Sequence, residues 1–136
     1  MSTELSEIGR ALKRAQYRHH LALDRALNAI GASIVQWDAL RAISEAPDSS
    51  AHELAIATFQ SDQAFGTLAN RLVDKGLITR ASGSGRRIEH RLTNAGERML
   101  ASGREIAHDV FTRSFAPLND SERETLFELL GRVGRG

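Results

Sequence analysis

The helical periodicity of this chain is interrupted once, from Leu77, by a stretch in which hydrophobic residues alternate with polar ones. The alternating segments are residues 77–80 and 88–92, and this period is typical of short strands. Between them, residues 82–87 combine glycine and serine with Arg86 and Arg87, which predicts a flexible, basic hairpin tip. A single hairpin among helices predicts a mainly α fold with a small β-hairpin.

The N-terminal segment predicts one long helix from about residue 2 to residue 30. Its stripe residues recur at alternating steps of three and four, which places them on one helical face. The stripe is rich in small residues, so the helix can pack closely on another helix, either within its own subunit or in a second subunit. The stripe residues are Leu5, Ile8, Leu12, Ala15, His19, Ala22, Ala26 and Ala29.

Capping residues predict where the following helices begin. Ser33 with Gln36 and Ser50 with Glu53 form S-x-x-Q and S-x-x-E capping boxes, and Ser61 is a favoured N-cap for a fourth helix. Gly76 ends that helix, the hairpin follows, and two further helices begin near residues 93 and 119. The predicted order is ααααββαα.

Two short helices joined by a tight turn and followed by a basic hairpin predict a winged helix-turn-helix. Residues 71–98 carry seven Lys/Arg against three Asp/Glu, whereas the whole chain has a net charge of only +1. A local basic segment indicates contact with a polyanion, although charged stretches are also common on solvated faces. A helix of this size fits the major groove of duplex DNA, and an arginine-tipped hairpin reaches the minor groove.

The fourth helix is the predicted reading helix. The amides of Gln63 and Asn70 can donate and accept at an adenine edge, Thr67 can contact a phosphate or a thymine methyl, and we expect Arg71 to hold a phosphate. Ser61 acts first as a cap. The predicted DNA-binding residues are Ser61, Gln63, Ala64, Thr67, Asn70, Arg71, Arg86 and Arg87, with Arg86 the stronger candidate in the wing.

Composition excludes several classes of function. The absence of cysteine excludes a disulfide framework, a thiol nucleophile and thiolate metal sites. No catalytic motif, phosphate-binding loop or dinucleotide turn is present, so we expect neither an enzyme nor a cofactor. The chain has no recognisable metal-ligand spacing, no long apolar run and no apolar leader, which predicts a cytoplasmic protein without a membrane partner.

Residues 33–96 resemble the core of the MarR family of transcriptional regulators. The family's reading helix ends R-L-x-x-x-G-L-I/V-x-R, which here is RLVDKGLITR at residues 71–80. The family's L-T-x-x-G corresponds to residues 92–96, and its short LA-containing helix to residues 53–55. The long flanking helices extend the resemblance over nearly the whole chain.

The chain departs from the family in the wing and in the reading helix. The family's D-x-R falls on residues 84–86, so Arg86 is retained while Ser84 replaces the aspartate. A serine would hold the arginine only through a weaker neutral hydrogen bond. Gly66 and Thr67 replace the more usual threonine and basic residue of the reading helix.

The resemblance implies one integrated domain that forms a homodimer on a near-palindromic operator, usually as a repressor. Residues 1–32 would form an N-terminal dimerisation helix, residues 33–93 the DNA-binding lobe, and residues 94–136 the C-terminal dimerisation helices. It also implies release from DNA by a small aromatic or phenolic effector. The dimerisation residues would be Leu5, Ile8, Leu12, Phe111, Phe115, Leu126 and Leu130.

Two alternatives remain open from the residues alone. Tyr17, His20 and Trp37 could line an effector pocket, although a single tryptophan on an apolar helical face is more often a core residue. A winged-helix protein-interaction module is the alternative to DNA binding. Such a module would be expected to expose aromatic anchors, and none is evident on the outer face of the fourth helix.

Overall fold

The computed structural model describes residues 3–83, 85 and 87–135. Within them the predicted order ααααββαα and the mainly α class with one hairpin are confirmed. The elements are α1 (Leu5–Asn28), α2 (Ile34–Glu45), α3 (Ala51–Ala57), α4 (Asp62–Asp74), β1 (Ile78–Ser82), β2 (Ile88–Leu92), α5 (Asn94–Phe115) and α6 (Asp120–Arg132).

Side-chain caps begin the helices of the central lobe where the sequence predicts them. The capping boxes at Ser33 and Ser50 are both formed, and the Ser61 hydroxyl accepts a hydrogen bond from the Ala64 backbone N–H at 3.1 Å. Each cap satisfies a backbone donor that the first helical turn leaves without a partner. These local contacts fix the start of α2, α3 and α4.

Two predicted boundaries are corrected. Helix α1 ends at Asn28, earlier than expected, because Gly31 adopts a φ of 77° and the Ala32 N–H turns back to the Leu27 carbonyl at 3.2 Å. Strand β1 continues to Ser82, which pairs with Ile88, so the strand extends beyond the hydrophobic alternation that predicted it. Backbone pairing does not require the apolar pattern to continue.

The core lies between the C-terminal half of α1, helices α2 to α5 and the hairpin. Trp37 is buried against α5, where its Nε1 donates to the Leu100 carbonyl at 3.4 Å. A Cβ at Gly103 would lie 2.3 Å from the Trp37 ring, so the absence of a side chain there lets the indole approach α5. Trp37 is therefore a core residue.

His90 on β2 is a buried imidazole at the centre of the lobe. Its Nδ1 donates to the Ser49 carbonyl at 2.9 Å, and the edge of its ring meets Phe65 at a centroid distance of 6.1 Å. Burial lowers the pKa of His90 below its ordinary value, the Ser49 hydrogen bond raises it in part, and the charge of Arg80 lowers it further. The folded lobe therefore favours a neutral His90.

We expect the free energy of unfolding to fall as the pH drops below about 6.5, the ordinary histidine pKa. The unfolded chain takes up this proton first, so stability is full above that pH and is lost towards the lower folded pKa. His90→Asn keeps a donor for Ser49 but cannot titrate. Urea unfolding at pH 7.5 and 5.5 should show a smaller loss in the variant, whereas equal losses would contradict this role. His19, whose pKa is also lowered, is present in both proteins.

Several large apolar side chains are exposed on the outer helices α1 and α6 of the single chain. Residues 3–18, which include the first half of α1, are exposed, and α6 has no buried residue. Leu5 is 84% exposed and Phe127 is 83% exposed. None of the helices within the described residues combines the length and apolarity needed to cross a membrane.

Candidate nucleic-acid interface

One face of α4 is polar and open to solvent. Phe65, Leu68, Ala69 and Leu72 turn into the core, and this anchors the helix while its opposite face stays free. All six residues that the sequence predicts on α4 or at its cap are exposed. They are Ser61, Gln63, Ala64, Thr67, Asn70 and Arg71. The helical repeat places Gln63, Thr67 and Asn70 along one line.

The two hydroxyl groups on this face already make bonds within the helix. Ser61 caps α4, and the Thr67 hydroxyl donates to the Gln63 carbonyl at 3.1 Å. The Thr67 methyl group and the oxygen lone pairs therefore remain for an external contact. Among the hydrogen bonds between described residues, none engages the side chains of Gln63, Asn70 or Arg71, which leaves two amides and a guanidinium available.

A histidine is hydrogen-bonded to the acidic residue in the first turn of α4. His52 on α3 lies with Nδ1 2.9 Å from Asp62 Oδ1, and both side chains are exposed. A carboxylate beside a phosphate backbone is unfavourable, and a hydrogen bond from His52 reduces that cost. Nothing in the sequence indicates that His52 would reach Asp62, ten residues further along the chain.

Arg87 does not extend from the hairpin tip. Its Nη2 donates to the Asp48 carbonyl at 3.0 Å and pairs with the Glu53 carboxylate. The Ser50 backbone N–H and hydroxyl, together with Arg87, hold the pKa of Glu53 below its ordinary value. The residue predicted to contact DNA therefore fastens the hairpin to the start of α3. Arg86 and Ser84, the other wing residues singled out from the sequence, lie outside the described residues.

Arg91 forms a second link between the hairpin and the lobe. Its Nε and Nη2 donate to the two carboxylate oxygens of Asp48 at 2.5 and 2.9 Å, which is the paired geometry that favours arginine. The Asp48 N–H also donates to the His90 carbonyl at 3.3 Å. Together with Arg87, these contacts hold β2 against the loop between α2 and α3. This arrangement could not be predicted from the sequence, because Asp48 and Arg91 are 43 residues apart along the chain.

The three residues predicted for an effector pocket occupy different environments. Trp37 is in the core, His20 is half-buried, and Tyr17 is 59% exposed. The close fit between Trp37 and Gly103 leaves no space on that side of the indole. Across the part of the chain that the structure describes, no cluster of three metal-ligating side chains is present.

An apolar groove of about 390 Å³ separates α5 from α6. Phe111, Phe115, Leu126 and Leu130, all predicted for dimerisation, line it together with Phe127. On the other side of α5, the His19 ring of α1 stacks on Phe111 at a centroid distance of 5.0 Å. Burial lowers the pKa of His19, and the neighbouring His20 lowers it further. Phe127 is not among the residues predicted for dimerisation. Its place on the groove face follows from the helical spacing of Arg123, Leu126, Phe127 and Leu130 on α6.

Comparisons with known proteins converge on one family. The MarR family model matches residues 30–88. A probable transcriptional regulator from Pseudomonas aeruginosa is 30% identical, covers 93% of this chain and 96% of its own, and superposes with a TM-score of 0.84. Mutant MarR from E. coli, solved in complex with operator DNA, is 22% identical over 98% of this chain and 99% of its own, with a TM-score of 0.88.

A curated relative is the HTH-type transcriptional repressor Rv2887 of Mycobacterium tuberculosis. It is 26% identical over 111 residues, which are 80% of each protein. Its structure in complex with p-aminosalicylic acid superposes with a TM-score of 0.77 over 97% of this chain and 99% of that one. The matches extend over the flanking helices as well as the central lobe.

Proposed function

We propose that this chain, which belongs to the MarR family of transcriptional regulators, represses transcription as a homodimer bound to a near-palindromic operator. Helix α4 of each subunit would enter the major groove, and the wing would reach the adjacent minor groove. Family membership sets the chain among regulators rather than enzymes. Beyond family membership, we propose which residues read DNA, that the chain forms a dimer, that it represses transcription and that an effector acts on it.

The observation that carries the proposal is the outer face of α4. Gln63, Asn70 and Arg71 are exposed on a helix whose other side is fixed in the core. Amides and a guanidinium at this spacing match base edges and phosphates. Asp62, the acidic residue in the first turn, accepts a hydrogen bond from His52, which engages one of its carboxylate oxygens.

The unpartnered apolar surface of α1, α5 and α6 supports the dimer. Leu5, Ile8 and Leu12 on α1 are exposed, and the α5–α6 groove is lined by aromatic and aliphatic side chains. Exposed apolar patches on a folded protein often mark an interaction surface. In the proposed dimer, residues 1–32 and 94–136 form the dimerisation region, and residues 33–93 form the DNA-binding lobe.

Selection of genomic fragments with the purified protein, followed by sequencing, tests the proposal. We expect one enriched motif with two-fold symmetry and half-sites about one helical turn apart. Recovery of fragments without a shared motif would contradict sequence-specific binding. Recovery of an asymmetric single site would contradict the symmetric dimer.

Gly66 should separate stability from DNA binding. A Cβ at this position would have no neighbour within 4 Å among the described residues, so packing against the described part of the wing does not explain the glycine. Gly66→Ala should stabilise α4 by about 0.5–1 kcal/mol, because alanine is the better helix former. It should weaken operator binding about tenfold if the duplex approaches this edge of the helix, equivalent to about 1.4 kcal/mol.

Thermal unfolding and fluorescence anisotropy with an operator duplex measure these two effects. Ala101→Gly, at an exposed position on α5, is the reverse control and should lower stability without changing DNA affinity. A stabilised Gly66→Ala variant that binds DNA like the wild type would remove Gly66 from the interface.

Effector release is the remaining part of the proposal and rests on the relatives. The M. tuberculosis relative has been crystallised with p-aminosalicylic acid, a small phenolic acid. We expect salicylate to lower the operator affinity of this chain, as a coupling between two sites requires. Unchanged affinity at millimolar salicylate would contradict a phenolic acid of this type as the effector.

A further inference from the structure

Phe59, in the turn between α3 and α4, is the most exposed large apolar side chain among the described residues. Its side chain is 98% exposed. The other highly exposed side chains, Leu5 and Phe127, lie on helices for which a second copy of the chain is the proposed partner. Phe59 lies in the DNA-binding lobe instead and needs a different explanation.

The backbone of Phe59 is also in an unfavourable conformation. Its φ of 56° lies in the left-handed region, which glycine and asparagine tolerate and bulky residues rarely adopt. The turn uses this conformation: the Phe59 N–H donates to the Ile56 carbonyl at 3.2 Å, and the Gln60 N–H to the Ala55 carbonyl at 2.9 Å. Both are backbone bonds, so glycine would close the same turn with less strain.

The phenyl ring therefore contributes nothing evident to the fold. Strain and exposure at one position, without a compensating contact inside the chain, indicate a contact outside it. Ile56, 63% exposed at the end of α3, extends the apolar surface beside the ring.

The position of Phe59 along the chain identifies what covers it. It precedes Gln63 by four residues, and four residues span at most about 14 Å. Whatever binds the first turns of α4 therefore also reaches the turn. Beside the turn, the Asp62 carboxylate is hydrogen-bonded to His52, so one of its oxygens is already engaged.

We propose that Phe59 is a further DNA-contacting residue, which packs on apolar atoms of the duplex next to the major groove. Duplex DNA offers thymine methyl groups and the faces of its deoxyribose rings there, and phenylalanine contacts thymine methyl groups in this way. This inference rests on the proposed function. It assigns to the turn an apolar contact that complements the polar face of α4.

The test compares Phe59→Gly with Phe59→Leu in operator affinity, thermal stability and oligomeric state. We expect Phe59→Gly to bind the selected operator about tenfold more weakly while its melting temperature is unchanged or higher and its dimer is intact. Phe59→Leu keeps an apolar side chain and should retain most of the affinity. Val35→Ala removes an exposed apolar side chain from α2 and should leave DNA binding unchanged.

If Phe59→Gly bound DNA with wild-type affinity, the inference would be overturned, and a protein would be the expected partner of the ring. A weakened Phe59→Gly accompanied by a lowered melting temperature would also overturn it, because the ring would then support the fold. If the wild-type protein bound no genomic fragment, the proposed function would fail together with this inference. Strong wild-type binding with no effect of Phe59→Gly would defeat this inference alone.

Discussion

Replacing Gly96 with alanine should destabilise the chain by about 3 kcal/mol, at the upper end of the usual range for overpacking. A Cβ at Gly96 would lie 2.0 Å from the Leu77 carbonyl oxygen and 3.1 Å from its carbon. These are backbone atoms, so no side chain can rotate away. The start of α5 and the turn before β1 would have to separate.

That separation would also break the contacts that join α5 to the hairpin. The Thr93 hydroxyl donates to the Gly76 carbonyl at 2.6 Å, and the Thr93 N–H donates to the Leu77 carbonyl at 3.0 Å. Chemical denaturation at neutral pH measures the loss. Gly66→Ala is the matched control, because the same methyl group added there meets nothing within 4 Å. Equal stability of the two variants would contradict the packing at Gly96.

Phe127→Glu should convert the proposed dimer to a monomer and weaken operator binding by about 100-fold. Its side chain is 83% exposed in the single chain, so a charge costs the monomer little. In a dimer that covers the α5–α6 groove, the same carboxylate would be buried without a partner. Losing the second half-site then removes the gain of bivalent binding, which typically reaches 100-fold or more.

Sedimentation velocity and operator titration measure the two effects together. Thr125→Glu adds the same charge to the opposite face of α6, where Thr125 is exposed, and should leave both dimerisation and affinity intact. Circular dichroism verifies that each variant is folded. A Phe127→Glu protein that remained dimeric would contradict the groove as part of the dimer interface.

Local signals in the sequence predicted much of the fold. Ser33, Ser50 and Ser61 each cap a helix through the residue three positions further along the chain, and such contacts can be identified without knowledge of the tertiary structure. The hairpin was equally evident from its alternating pattern. The end of β1 was not, because backbone pairing continued through Ala81 and Ser82, whose side chains carry no strand signal.

Contacts between residues that are far apart along the chain could not be predicted from the sequence. In the sequence, Arg87 cannot be told apart from a wing arginine that contacts DNA. Its contacts with Asp48 and Glu53 arise because the fold brings β2 beside α3. Neither the left-handed backbone of Phe59 nor its exposure follows from residue type. The exposed face of α4 was predicted correctly because helical periodicity separates it from the buried residues, while its contacts with DNA stay a prediction.

The most direct measurement of DNA binding is a salt titration of operator affinity from 50 to 200 mM. A dimer that places two reading helices and two wings on one duplex displaces several condensed counterions, so the logarithm of the affinity should fall linearly with the logarithm of salt concentration. For six to ten phosphate contacts the loss is about 10³-fold to 10⁵-fold over this range. Affinity that does not change with salt, or no binding to any genomic fragment, would contradict the assignment of this chain as a DNA-binding regulator.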